Sequence, residues 1–319
     1  MARRIQTPSL LDRLPPVRGK LQADVELAPL AWFRTGGPAD ILFEPVDAQD
    51  LMQFLAALPG DIPVTIIGAG SNLLIRDGGI RGAVVQLGAG FSAIEIMADG
   101  LIHAGAGVMD VKLASAARDA GLTGLEFLRG IPGAMGGAAR MNAGAFGGEI
   151  KDIFVGAAGI DRRGRKLEFS AAEAGFGYRR SAFPADVILT RITVRGHPGD
   201  RAQISARMAE IAAERSANQP VGARTGGSTF ANPLDPKAAG RKAWQLIDAA
   251  GCRGLRIGDA MVSEKHCNFL LNCGSARAAD LERLGEHVRA CVMQQFGIDL
   301  HWEIQRIGEP APDDAGGRP

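Results

Sequence analysis

Glycine is the residue type whose spacing carries most chemistry in this chain. Between Gly124 and Gly148 the sequence reads GLEFLRGIPGAMGGAARMNAGAFGG, with 8 glycines in 25 residues, more than twice the density of the chain as a whole. A residue without a Cβ takes positive φ readily and lets its backbone amide approach a ligand that a side chain would hold off. Such a run is either a slack linker or a cradle. Linkers are polar and rich in Gly and Ser, whereas Leu125, Phe127, Leu128, Ile131, Met135, Met141 and Phe146 are interleaved with these glycines. The loop therefore packs. Amides converging from a packed loop suit a phosphate or the polar edge of a flat ring, and a bound nucleotide cofactor is the leading reading.

Two further turns present polar groups. Ile62 to Ile67 reads as a strand running into Gly68-Ala69-Gly70-Ser71-Asn72, whose spacing fits a phosphate loop and an ordinary tight turn equally. A Rossmann or P-loop turn would open a helix, but Leu73, Leu74 and Ile75 before Asp77-Gly78-Gly79 read as strand, so this is no Rossmann fingerprint. RTGGSTFANP, Arg224 to Pro233, exposes hydroxyls and Asn232 at a second glycine turn. The four cysteines, Cys252, Cys267, Cys273 and Cys291, show neither CxxC spacing nor a Cys/His pair at zinc-finger separation. They read as structural thiols, and no metal site is expected.

The elements that must hold these turns follow from periodicity. Ile41 and Phe43 alternate as a strand after the turn Thr35-Gly36-Gly37-Pro38. Asp47 can cap a helix with Leu51, Phe54, Leu55 and Leu58 on one stripe. Short strands are expected at Ile94 to Met97 and Leu101 to Ala104, and Asp110 reads as the cap of a helix that Gly121 stops. A hairpin turns at Arg162-Arg163-Gly164, VILTRITVR reads as a strand, and Arg201 to Ser216 as a helix. In the last third a helix carrying Trp244 and Ile247 ends at Gly251, and one starting near Ser275 turns Leu281, Leu284, Val288 and Val292 inward. The closing strand IDLHWEIQRI puts Ile298, Leu300, Trp302 and Ile304 on one face and Asp299, His301, Glu303 and Gln305 on the other.

At 319 residues and 46% hydrophobic the chain can bury a sizeable core in two or three domains. A formal charge of +1 gives no electrostatic footprint for nucleic acid. After Arg3 and Arg4 the only run before Asp12 and Arg13 is Ser9, Leu10 and Leu11, no signal-peptide apolar core, and no apolar run reaches membrane-spanning length, so a cytoplasmic location with no membrane partner is expected. Residues 1–20 and 309–319, rich in Pro, Gly and charge, are expected to fray.

Taken in order, FRTGGPAD, GAGSNLLI, GLEFLRGIPGAMGGAARMNAGAFG, YRRSAF, GSTFANP and the closing HWE segment resemble the UDP-N-acetylenolpyruvoylglucosamine reductase family of bacterial peptidoglycan synthesis, over roughly residues 25–308. The resemblance implies an α+β fold. Two subdomains, 21–88 and 89–218, would form a two-part FAD-binding domain of the vanillyl-alcohol-oxidase type, and 219–308 would bind a sugar nucleotide. It implies FAD as cofactor and NADPH as reductant. Cofactor contacts would come from Arg34, Thr35 and Gly36, from Gly68, Ala69, Gly70, Ser71, Asn72 and Leu73, and from Gly124, Ile131, Pro132, Gly133, Met141, Asn142, Ala143 and Gly144.

By the same resemblance Arg179, Ser228 and Glu303 would be catalytic, while Tyr178, Arg179, Asn232, Lys265 and His266 would meet the substrate. Hydride delivered to C3 of an enolpyruvyl ether leaves negative charge on C2 and the carboxylate. A guanidinium matches that carboxylate, a protonated glutamic acid can hydrogen-bond the enolate, and the serine offers C2 a proton. One form of the family covers its substrate with an extra loop tyrosine. Tyr178 is the only tyrosine here, so the chain looks like the shorter form; a monomer is expected. Two other functions compete: an FAD-dependent oxidase on the same scaffold, reoxidised by oxygen, and a catalytically silent sugar-nucleotide-binding regulator.

Overall fold

The computed structural model describes residues 10–312, so the fraying expected of 1–9 and 313–319 falls outside it. Residues 10–19 enter along the first sheet, where Leu10, Leu14 and Val17 pack on its core. That sheet is built from β1 (Lys20–Glu26), β2 (Pro38–Glu44), β3 (Val64–Ile67) and β5 (Ile80–Gln86), in the order β1-β2-β5-β3, while β4 (Leu73–Ile75) stands apart from it. The inner strands run parallel and are apolar on both faces, as burial from both sides requires. Phe43 and Val85 meet Leu51, Phe54 and Leu55 of α1 (Ala48–Ala57), and Leu42 and Val84 face a second layer with Leu27, Ile67 and Ile75. Asp47 caps α1 as its sequence predicts, accepting from the Asp50 amide at 2.8 Å.

The second unit is an antiparallel sheet of β6 (Ile94–Ile96), β7 (Leu101–Gly105), β8 (Phe154–Ile160), β9 (Lys166–Ser170) and β10 (Ile188–Arg195), ordered β9-β8-β10-β7-β6. Ile102, Ala104, Ile192 and Val194 point inward against α2 (Asp110–Asp119), the short α3 (Met135–Arg140) and α4 (Arg201–Asn218). The glycine-dense stretch lies in this unit as a 3-10 turn, α3 and a two-residue hairpin, Gly144–Ala145 with Gly148–Glu149. Asp110 does not cap α2. Met109 holds the cap position and Asp110 is the helix's first residue, with its amide on the Gly133 carbonyl at 3.0 Å and its carboxyl buried.

The third unit packs α5 (Ala243–Ala249) and α6 (Ala278–Phe296) on a small antiparallel sheet of β11 (Arg256–Ile257), β12 (Ala260–Val262) and β13 (Leu270–Asn272). The cap of α6 comes from the first unit: the Asp77 carboxylate accepts from the Ala278 and Ala279 amides at 3.0 and 2.9 Å. The closing segment differs from the single strand expected. Its faces alternate as predicted, with Ile298, Leu300 and Ile304 buried and Asp299, His301 and Gln305 exposed. Regular strand, however, is confined to β14 (Gln305–Ile307), because the segment changes partners: Trp302 bridges Phe230, and β14 then runs parallel to β4 of the first unit. Among the described residues no helix is long and apolar enough to cross a membrane.

Candidate active site

Arg179 is set by a tight turn. Gly177 and Arg180 exchange backbone hydrogen bonds at 3.0 and 3.2 Å, which leaves Tyr178 and Arg179 at the tip and Arg179 at φ 55. A non-glycine residue holds that left-handed conformation at a cost of about 1–2 kcal/mol, so the surroundings must fix it. They do so through the guanidinium, whose Nε donates to Glu303 Oε1 at 3.0 Å and whose NH2 group donates to the Gly144 carbonyl at 2.8 Å. Tyr178, 43% exposed, lies under the guanidinium carbon at 5.2 Å.

Glu303 is where the three units meet. Its amide donates to Thr229 O at 2.8 Å, which sets it beside the Ser228 turn of the third unit; its carbonyl accepts from Asn72 Nδ2 of the first unit at 3.1 Å; its carboxylate takes Arg179 of the second. Burial raises the Glu303 pKa, and the charge and hydrogen bond of Arg179 lower it; burial outweighs them, so the net shift is upward. The carboxyl can thus serve as an acid while remaining tied to a cation. Ser228 bridges Phe269 and is half-buried, and among the described residues its hydroxyl bonds no other group of the chain. Asn268 pins the turn: Oδ1 accepts from Phe230 N at 3.0 Å, Nδ2 donates to Phe230 O at 2.8 Å, and its carbonyl accepts from Thr229 N at 2.7 Å.

The two glycine loops meet next to this point. Ser71 Oγ donates to Pro132 O at 3.1 Å, and Leu73 begins the strand that pairs with Gln305. A Cβ at Gly68 or Gly137 would meet no atom within 4 Å, so both backbones face open space. Three buried polar groups around the loops have no partner in the chain: Thr35 Oγ1, Thr225 Oγ1 and the whole Asp110 carboxyl. Leaving an ionised carboxylate buried and unpaired costs several kcal/mol, against about 0.3–1 kcal/mol returned by the N-terminus of α2. Asp110 is therefore the neutral acid, its pKa well above the ordinary carboxylate range because of burial. Open glycine backbones and unspent hydroxyl and carboxyl groups are the donor set a dinucleotide such as FAD requires.

Other residues expected at the site also make contacts within the chain. Asn142 is fully buried at φ 42 and spends its side chain on Glu149, Gly177 O and Lys151 N, so it holds the hairpin under Arg179 and has no side-chain group left for a cofactor. Arg34 turns its guanidinium onto Pro29 O. Gly36 packs on Ile75, and the Gly124 amide is taken by Glu126 at 2.8 Å. Ile131 is buried, while Met141 ends α3, Ala143 N bonds Ala138 O, and Gly70 O accepts from Trp32 N. Asn232 Oδ1 caps α5 through Ala243 N at 3.0 Å, and Lys265 Nζ reaches Ser216 O at 2.5 Å across to α4. His266, its pKa lowered by burial, stands between Phe269 and Trp244, with ring centroids at 4.8 and 6.1 Å. Asp110 and Asn268 are the residues that sequence reasoning missed: an aspartate before a helix reads as a cap, and nothing local marks Asn268.

The arrangement agrees with what similar proteins are. Residues 219–307 match the family of UDP-N-acetylenolpyruvoylglucosamine reductase C-terminal domains, and residues 39–170 match the family of FAD binding domains. The UDP-N-acetylenolpyruvoylglucosamine reductase of Rhodospirillum rubrum is 55% identical over 97% of this chain and 96% of its own length. The chain belongs to that reductase family. The protein of the same name from Azorhizobium caulinodans is 57% identical over 95% of this chain and 97% of its own length. The crystal structure of the UDP-N-acetylenolpyruvylglucosamine reductase from Thermus caldophilus superposes with a TM-score of 0.77 at 33% identity, covering 91% of this chain and 99% of that one. Membership of this reductase family agrees with the α+β fold described above, an FAD-binding domain followed by a C-terminal α+β domain.

Proposed function

We infer that this chain reduces UDP-N-acetylglucosamine enolpyruvate to UDP-N-acetylmuramate in peptidoglycan synthesis, with FAD as cofactor and NADPH as reductant. The observation that carries the reading is the convergence on Glu303: Arg179 at 3.0 Å, and the Ser228 turn through Thr229 O at 2.8 Å. FAD, when bound, supplies at C3 of the enolpyruvyl ether the hydride it has received from NADPH. The chain's own residues manage the charge that results. Arg179 holds the substrate carboxylate with the part of its fork not spent on Glu303 and Gly144. Glu303, raised by burial, hydrogen-bonds the developing enolate as an acid. Ser228, with an unspent hydroxyl, gives C2 its proton.

Around this centre we assign Gly68 to Leu73 and Ile131 to Gly133 to the cofactor, and Tyr178, Asn232, Lys265 and His266 to the sugar nucleotide. Lys265 is supported by its place on the edge facing α4, and His266 by its neutral form beside Trp244. We also propose that the enzyme works as a cytoplasmic monomer. The test separates the two half-reactions. In Ser228→Ala, flavin reduction by NADPH stays within a few-fold of the parent, and reoxidation by the enolpyruvyl substrate slows by at least about 100-fold, the lower range for a positioned proton donor. Stopped-flow absorbance at the oxidised flavin band reads both steps. Normal reoxidation in the variant removes Ser228 from the mechanism.

A further inference from the structure

Asp110 is a buried acid with nothing to do inside the chain. It is wholly shielded from water and neither carboxyl oxygen has a partner. Burial alone raises it: neither Lys112 and Arg118 of its own helix, nor Glu126 and Arg129 of the turn packed on that helix, nor Arg207, Glu210 and Arg215 of α4 contributes. A neutral carboxyl carries a proton to donate, and the question is what accepts it.

The surroundings answer. A Cβ built on Gly133 would stand 3.3 Å from Asp110 Oδ2 and 3.1 Å from Ser71 Oγ, so the carboxyl and the serine converge on the bare side of one glycine. Gly133 is at φ 143, and its carbonyl accepts from the Asp110 amide at 3.0 Å. Ser71 belongs to the first glycine loop and bonds Pro132 of the second at 3.1 Å. Asp110 thus stands at the seam between two loops whose Gly68 and Gly137 backbones face open space.

We propose that Asp110 belongs to the cofactor site and hydrogen-bonds, through its carboxyl, an anionic oxygen of the bound dinucleotide at the seam of the two glycine loops. The inference rests on the assignment of those loops to FAD, whose pyrophosphate carries the anionic oxygens. A protonated acid favours phosphate there, where a carboxylate would repel it, and the burial of Asp110 keeps the acid form.

Apo-protein titrated with FAD by flavin fluorescence, together with 31P NMR of the bound cofactor, tests this. Asp110→Ala weakens FAD binding by about 10-fold or more, the loss expected for a hydrogen bond to a charged group. Asp110→Asn, which keeps a donor, stays within about 3-fold, and both substitutions move the pyrophosphate resonances. Undiminished affinity in Asp110→Ala overturns the proposal. So does weaker binding with unshifted resonances and a lowered urea midpoint, because that marks a role in folding alone. Should Asp110→Ala not fold, the resonances of Asp110→Asn decide by themselves: shifted supports the contact, unshifted overturns it. A parent protein that takes up no FAD would instead overturn the cofactor assignment.

Discussion

Glu303 is pulled in two directions, and the balance is open to measurement. Burial raises its carboxyl and Arg179 lowers it. Removing the guanidinium in Arg179→Met leaves burial unopposed, so the midpoint of Glu303 must move further up. The infrared band of the protonated carboxyl, followed with pH and identified by its loss in Glu303→Gln, reports that midpoint; one that stays put or falls would refute the account. The sign for stability follows. An acid whose folded value lies above its unfolded one stabilises the fold fully below the ordinary carboxylate range, and that contribution is lost as pH climbs through the raised folded value. At this scale the sequence was legible where a backbone or a fixed charge sets the geometry. Arg179, Ser228 and Glu303 come together as the motif order implies, and Gly68 is open as a cradle requires. It was misleading where a polar side chain has several possible tasks. Asn142, expected at the cofactor, spends its side chain bracing the hairpin, and Asp110 reads as a cap and is an unpartnered acid.

Elements built from local patterns were the readable ones. Asp47 and the stripe Leu51, Phe54, Leu55 of α1 need only neighbours in sequence, and they stand where periodicity puts them. The cap of α6 could not be read, since Asp77 lies about two hundred residues before the helix it caps. The same holds for β14, which takes its partner from β4 and so shortens the strand expected over the whole closing segment. Asn268 is a further tertiary device. Its amide closes two buried hydrogen bonds on Phe230 and thereby fixes the turn that presents Ser228. Asn268→Ala leaves the Phe230 amide and carbonyl unpaired, each worth about 1–3 kcal/mol when buried, so the variant should lose about 3 kcal/mol of stability in urea unfolding. Reoxidation of the flavin by substrate should slow as well, while its reduction by NADPH is spared. A loss below about 0.5 kcal/mol, the range of ordinary surface changes, would show that the turn holds without it.

The three units are not joined equally. The first and third are locked by the β4–β14 ladder, the Asp77 cap and the two-pronged pair of Arg76 with Glu282, both contacts at 2.9 Å. The second is bound to the first through Ile160 and Ile188, which share the core of α1, and through Arg162 on the carbonyls of Leu55, Pro59 and Ile62. Between the second and third units the link includes the polar contacts of Arg179 with Glu303 and of Lys265 with Ser216. Arg179 and Glu303, which we propose as catalytic groups, come from these two units, and the glycine loops are proposed as the seat of a single dinucleotide. We predict that NADPH and the sugar nucleotide use one approach in turn, each leaving before the other binds. Initial rates measured against one substrate at several fixed levels of the other should give parallel double-reciprocal lines, with inhibition at high enolpyruvyl substrate as it occupies the oxidised enzyme before NADPH can reduce it. Intersecting lines, or equilibrium dialysis that detects NADP+ and the enolpyruvyl nucleotide bound together on one chain, would overturn this prediction.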